Sequence, residues 1–486
     1  MKKNTIFKIL GITILVYCIL SWILPATAAL GDPVDWSTKA PIGLFNLVQA
    51  PFDAWGGFAF TIIFILLVGG FYGILEETGV YDKILNSFAE RYKGKEKIFL
   101  IVTMVLFALI SSVAGLELGM FLLFPLVIAM LIKMGYDKIV AVAATFGATI
   151  IGMFGATISS TMYETINFNL QLEYSELLIV KIAFLVLGLG LLIFFTLMHD
   201  KKIKSGKDTK KEVKKTKKPV QKDEAKKEEI VVAQSKKSIW PAMIVLYVII
   251  FLFIIGTISW GSLFDSNWFA TAHEAINNVK IGNVQVFAVL FDGLATFGEW
   301  ADVNRLQYYS TILVIGTLIV SLIYRIKFND MFKGFTKGLK DYLVPAILVT
   351  IASTVFVLTY YHPVFNTIGT WIMGITEDFN VLTIGTSSIF TLIGSFLFVD
   401  FYYFTYYALG YLVEISGSAN LYSLVSVMFV SMYSIAMLFV PTGVLMIATL
   451  KTSDTKYFDW IKFVWKLVLA LFVVAFIAFI IIFLVK

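Results

Sequence analysis

Two acidic residues stand in places where acids are scarce. Glu117 lies within Ser111-Ser112-Val113-Ala114-Gly115-Leu116-Glu117-Leu118-Gly119, between the apolar arms 98–110 and 120–132. Asp400 lies in the corresponding place of a later segment, Phe398-Val399-Asp400-Phe401-Tyr402-Tyr403-Phe404. An ionisable group between apolar arms is by default a functional hypothesis, here a cation ligand or a proton carrier. The competing reading of Glu117 is an interfacial carboxylate paired with a lysine.

Hydroxyls and glycines gather beside both acids. Ser111, Ser112, Gly115 and Gly119 flank Glu117, and Gly152, Gly155, Thr157, Ser159 and Ser160 follow within one run. Ser388 precedes Asp400, Tyr402 follows it, and Pro441-Thr442-Gly443 lies downstream. Freed carbonyls and hydroxyls suit a hard cation such as Na⁺, for which Gly152, Thr157 and the Pro441 region are the candidates; half-helix N-termini suit a carboxylate. Hydroxyls also pack between helices, which is their commoner role. The aromatic run from Phe401 to Tyr407 suits either stacking on a substrate or cation or an interfacial belt.

The elements that must position these groups are interrupted apolar helices. Each arm around Glu117 is too short to cross a ~30 Å hydrocarbon core at 1.5 Å per residue. We therefore expect helical hairpins at 98–134 and 381–416, each re-entrant or else a pair of spans, which charge parity does not separate, and broken helices at 139–158 and 422–450. Proline at 441 removes a donor and frees a carbonyl one turn earlier. Irregular backbone at membrane depth survives only where protein buries it or where it lines a wet cavity.

Composition sets the class. The 486 residues are 59% hydrophobic and 15% charged, with mean hydropathy +0.85, against about a quarter charged in soluble domains. The chain is therefore an all-α polytopic membrane protein, and a large soluble enzymatic domain is excluded. Cys18 is the single cysteine, and His199, His273 and His362 are scattered, so neither a disulfide framework nor metal-ligand spacing exists. No phosphate loop or nucleophile elbow is present, and no resident cofactor is expected, only Na⁺ or H⁺ as a coupling ion. Arg91, Arg305 and Arg325 all flank spans. No intramembrane arginine is expected to clamp a second carboxylate, which favours an amino acid or a cation-assisted mode.

Order along the chain suggests duplication. Residues 1–198 form a first repeat: a span at 6–24, an amphipathic segment at 41–55, a span at 56–75, the hairpin, the broken helix and a span at 177–198. Residues 309–486 repeat that order with a span at 309–326, an amphipathic segment at 327–340 and spans at 341–361 and 460–485. Between them lie a Lys-rich segment at 199–238, a connecting span at 239–260 and an extracytoplasmic loop at 261–308. Fifteen lysines and six acids within 201–238 give that stretch a net charge of +9, so it is expected to be a disordered linker. Solvation and topology are its ordinary purpose; contact with anionic lipid or RNA is the other reading. The one connecting span turns the second copy over, the inverted-repeat arrangement of secondary transporters. Basic loops place the N-terminus and 199–238 on the cytoplasmic side. The lysine bias fits a bacterial protein of the cell membrane.

Several runs resemble a known family. GGFYGILEETGVYDKIL from Gly69, the stretch from Gly115 to Ser159, GLATFGEW from Gly293 and the stretch from Pro441 to Phe463 are similar to the YfcC-like branch of the C4-dicarboxylate anaerobic carrier (DcuC-type) family, within the ion transporter superfamily. The likeness is good over 40–205 and patchy over 285–480. It implies a scaffold, a moving domain with two re-entrant hairpins, elevator-type alternating access and a homodimer. Carried onto this chain, the binding region is Ser111 to Gly119, Gly152 to Ser160, the tip around Asp400, and Pro441 to Gly443. Two departures stand out: Ser159-Ser160 replaces a frequent Asn-Pro, and Val399-Asp400-Phe401-Tyr402-Tyr403 replaces a small polar tip.

The expected function is secondary active transport of a small carboxylate-bearing metabolite, an amino acid or short peptide or a C4-dicarboxylate, by symport or exchange. Its partners are that substrate, membrane lipid and a second copy of the chain, with no nucleic acid. The alternative is an integral-membrane enzyme or assembly factor without transport activity, and a channel is a further option.

Overall fold

Apolar runs closed by glycine, proline and lysine become helices, as the hydropathy pattern requires. The computed structural model describes residues 5–205, 237–290, 292–301, 305–376 and 378–486. Its first part contains α1 (Thr5–Ile23), α2 (Leu44–Gly57), α3 (Ala59–Glu77), α4 (Tyr81–Arg91), α5 (Glu96–Ala114), α6 (Phe124–Lys133), α7 (Lys138–Phe154), α8 (Ser160–Leu170) and α9 (Leu178–Lys204). Next come α10 (Trp240–Thr257), the short helices α11 (Trp260–Phe264), α12 (Trp268–Asn277) and α13 (Val286–Leu290), and a small antiparallel pair, β1 (Lys280–Ile281) with β2 (Val284–Gln285). The last part contains α14 (Arg305–Ile323), α15 (Phe328–Tyr361), α16 (Val364–Met373), α17 (Val381–Leu397), α18 (Phe401–Ser416), α19 (Tyr422–Met437), α20 (Val444–Thr452) and α21 (Tyr457–Val485). Among the described residues, nine helices are long and apolar enough to cross a membrane.

Two groups of helices pack around the middle of the molecule. In one, α3 runs along α15, α14 packs on α3 and α10, and α2 lies on α15. The α3–α15 approach is close because both faces are glycine: a Cβ on Gly73 would meet the Gly334 carbonyl, and one on Gly338 the Gly69 carbonyl. That is the close packing expected of small residues at helical spacing. In the other group, α5 packs on α7, α19 on α7 and α17, and α9 on α7 and α21. Exposed apolar side chains such as Ile12, Leu15 and Ile19 on α1 and Ile477 and Ile481 on α21 are where a hydrocarbon solvent would lie.

Several boundaries differ from expectation. The first arm is not confined to 98–110: α5 has 19 residues, about 28 Å at 1.5 Å per residue, and carries Ser111 and Ser112 inside its last turn. It stops at Gly115, whose φ of 64° makes a left-handed C-cap, a conformation that costs glycine nothing. The second arm, α6, is short as expected, at 10 residues. Segments 327–340 and 341–361 are one 34-residue helix, α15, which runs through Pro345; neighbouring helices make proline tolerable in such spans. Lys83 and Arg91 lie on a further helix, α4, whose apolar residues fall on one face and bury Ile84 and Leu85. The Lys-rich segment expected from 199 begins later, since α9 continues to Lys204; residues 206–236 lie outside the described residues.

Candidate functional site

The first tip is stitched to the break between α7 and α8 by hydroxyls. Ser112 Oγ donates to the Gly155 carbonyl at 2.6 Å, and the Thr157 N–H donates to the Ser112 carbonyl at 3.0 Å. Thr157 Oγ1 donates to the same carbonyl at 3.2 Å. Thr161 Oγ1 lies 2.9 Å from the Gly115 carbonyl and 3.2 Å from Glu117 Oε2. Glu117 therefore sits at the first turn of α8, the end of a helix that favours negative charge, and is only 8% exposed. A Cβ on Gly115 would collide with the Thr161 and Ser159 hydroxyls. The α7 helix itself contains a π-turn over Ala143–Gly147, a distortion often found at functional sites.

The second tip repeats the logic with different residues. Asp400 is the N-cap of α18: its Oδ1 accepts from the Tyr402 N–H at 2.9 Å and from the Tyr403 N–H at 3.4 Å. Thr442 Oγ1 donates to the Phe396 carbonyl at 2.7 Å, tying the α19–α20 break to the end of α17. The break at Pro441 to Gly443 is a turn closed by the Gly443 N–H on the Val440 carbonyl at 3.0 Å. Each tip thus carries one acid at a helix N-terminus and one threonine from the neighbouring break.

Both tips meet at a cavity of about 90 Å³ that Glu117, Asp400, Arg305, Phe146, Tyr433 and Gly443 help to line. Arg305 is the first residue of α14, and its guanidinium lies 3.8 Å from Asp400 Oδ2. Here the structure overturns an expectation: Arg305 does not merely flank a span but reaches the site. The helix α14 starts at Arg305, four residues before the expected span at 309, and no local sequence signal marks its place at the cavity.

Other expected site residues have other places. Ser160 Oγ accepts from the Ser259 N–H at 3.0 Å, linking α8 to the end of α10 rather than facing the cavity. Ser388 Oγ donates back to the Ile384 carbonyl within α17 at 2.7 Å, and Tyr402 packs edge-on against Tyr403; neither lines the cavity. Gly152 lies inside α7, where a Cβ would meet the Ala108 carbonyl and Ser111; Gly155 abuts the Leu185 backbone, and Gly119 lies against Leu116 and Tyr309. These glycines permit close packing around the site.

The oxygens around Ser111 and Ser112 are neutral hydroxyls and carbonyls. Ser111 Oγ is wholly buried and has no hydrogen-bond partner among the described residues, beside Gly152 and one residue from the Ser112–Thr157 contacts. Hydroxyl and carbonyl oxygens without a carboxylate fit a monovalent hard cation better than a divalent one. Among the described residues no group of three or more His, Cys, Asp or Glu is placed to hold a metal ion.

Comparison with known proteins adds a family. The profile of the C4-dicarboxylate anaerobic carrier family matches residues 58–484. An uncharacterised protein of Haemophilus influenzae is 27% identical over 144 residues, 30% of this chain and 28% of its own length. A protein of Escherichia coli K12 named "Putative basic amino acid antiporter YfcC" is 31% identical over 91 residues, 19% of this chain and 18% of its own. The matched segments therefore span less than a third of either relative. Among solved structures, the Alcanivorax borkumensis YdaH transporter, described as having an unusual topology, covers 98% of this chain and 97% of its own at a TM-score of 0.42 and 12% identity.

Proposed function

The chain belongs to the C4-dicarboxylate anaerobic carrier family and is a multi-pass membrane transporter, not an enzyme; we propose that it carries a small metabolite with one carboxylate and at least one ammonium group, bound between the two tips. The observation behind this reading is the meeting of Glu117, Asp400 and Arg305 at one cavity. Two carboxylates and one guanidinium give these groups a formal charge of −1. An amino acid, neutral or cationic, answers that charge; a dicarboxylate would add two more negative charges. The name carried by the Escherichia coli relative points the same way. At about 90 Å³, against roughly 10–15 Å³ needed to hold one water, the cavity has room for a head group, with any longer side chain extending from it.

A second reading follows from the family description, a C4-dicarboxylate. It requires coupling cations to offset the extra charge, and the neutral oxygens around Ser111 are the place for one. Under either reading we take the coupling ion to be Na⁺ or H⁺. Transport by symport or exchange would proceed through elevator-type movement of the α5, α7, α17 and α19 group against the α3, α14 and α15 group. The matching helix order, α3–α9 with α15–α21, is consistent with inverted repeats, one tip entering from each side. A homodimer in lipid, in a bacterial cell membrane with the Lys-rich segment inside, completes the proposal.

The test is uptake into proteoliposomes of labelled L-lysine and of labelled succinate, each with and without a Na⁺ gradient. Saturable lysine uptake supports the first reading. Na⁺-dependent succinate uptake without lysine uptake would replace it with the second.

A further inference from the structure

We propose that Arg305 is the group that recognises the substrate carboxylate, with Asp400 as one internal carboxylate that competes for it. This rests on the reading of the tip cavity as the transport site. Arg305 Nη2 stands 3.8 Å from Asp400 Oδ2, an ion-pair separation too long for a hydrogen bond between those two atoms. The guanidinium side chain is 17% exposed and the Asp400 side chain 28%, so solvent or a small solute reaches both. A planar fork of donors at the edge of a cavity is suited to two-point capture of a carboxylate.

Asp400 is built to let go. Its Oδ1 is held by the Tyr402 and Tyr403 N–H groups of α18, so the carboxylate keeps its cap when a ligand takes the arginine. The exchange replaces one carboxylate with another, which keeps its net cost low. Glu117 is placed differently: it lies on the other tip, held by Thr161, and is available to an ammonium group. One substrate ammonium and one carboxylate therefore have separate partners, contributed by separate elements. Arg305 also stands on α14, which packs on α3 and α10, while Asp400 leads α18, which packs on α19 and α8. The carboxylate site is thus assembled from both helix groups and depends on their relative position.

The experiment is ligand titration by thermal shift on the purified full-length protein, using L-lysine, succinate and cadaverine, which is lysine without its carboxylate. Wild type is compared with Arg305→Gln, Arg305→Lys and Asp400→Asn. Whichever carboxylate stabilises wild type should lose affinity by about tenfold or more in Arg305→Gln, the scale of a lost charge-assisted pair. Arg305→Lys should recover part of it. Asp400→Asn keeps the helix cap and removes one competitor, so it should bind the same carboxylate more tightly than wild type. Cadaverine binding should be indifferent to Arg305→Gln. Unchanged carboxylate affinity in a folded Arg305→Gln, or weaker binding in Asp400→Asn, overturns the proposal while leaving the transport site standing. If Arg305→Gln does not fold, Asp400→Asn alone decides. No stabilisation of wild type by any of the three ligands would remove the transport-site reading, and this assignment with it.

Discussion

Arg305 and Asp400 are 95 residues apart in the chain and 3.8 Å apart at the cavity. The arginine begins a helix of one packing group, and the aspartate caps a helix of the other. Their meeting places a cation and an anion at the same wall of a cavity whose other acid, Glu117, comes from the first tip.

Glu117 should supply the ammonium contact. Replacement by Gln keeps the shape and the Thr161 contact but removes the charge. The expected outcome is a loss of L-lysine affinity of about tenfold or more, with little change in the melting temperature of the ligand-free protein. Titration by thermal shift measures both. A variant that binds as wild type does would remove Glu117 from the site.

Ser111 should report on the coupling ion. Its hydroxyl is buried without a partner among the described residues, so Ser111→Ala removes an unsatisfied group and should not destabilise the ligand-free protein. If Na⁺ uses this oxygen, the Na⁺ concentration giving half-maximal stabilisation should rise severalfold. An unchanged Na⁺ midpoint moves the ion elsewhere, or leaves H⁺ as the coupling ion.

Gly115 tests the tip backbone. A left-handed conformation costs an L-residue about 1–2 kcal/mol, and a Cβ there also strikes Thr161 and Ser159. Gly115→Ala should lower the melting temperature and weaken ligand binding, while the protein still inserts in the membrane. Wild-type melting and binding would mean that the tip relaxes freely.

Asp137 offers a stability prediction remote from the cavity. Burial alone would raise its carboxyl, but the His199 ring at 3.3 Å and the Val140 N–H at 3.0 Å hold it below the usual carboxylate range. A depressed acid stabilises the fold above its unfolded value, about 3.9, and loses that contribution as pH falls through its folded value. Asp137→Ala should cost about 1 kcal/mol near neutral pH, the size of a lost helix cap. The difference from wild type should shrink in acid. Melting curves at pH 7 and pH 3.5 check both.

Much of this was legible in local sequence, because the cues are local. Gly115 after an apolar run, glycines and hydroxyls from Gly152 to Thr161, and Pro441-Thr442-Gly443 each disrupt a helix through their own backbone preferences. Glu117 and Asp400 stand out because charge is rare among apolar arms. What escaped depends on long-range packing. Arg305 reads as a flanking charge, since nothing near it in sequence says that two tips from elsewhere will meet it. Ser160 looks like a tip hydroxyl, yet its partner is Ser259. Ser388 and Tyr402 have suitable chemistry, but their helices turn them away from the cavity. The fused α15 hid behind Lys337 and Lys340, which read as the polar edge of a span, and Pro345, which reads as a helix breaker.

The most direct test of the tip cavity as the transport site is exchange in proteoliposomes loaded with unlabelled L-lysine and presented with labelled L-lysine. Wild type should show saturable counterflow, with Glu117→Gln and Arg305→Gln both reduced about tenfold or more at equal protein incorporation. Counterflow of L-lysine that both variants retain at the wild-type rate would contradict a binding site at the tips.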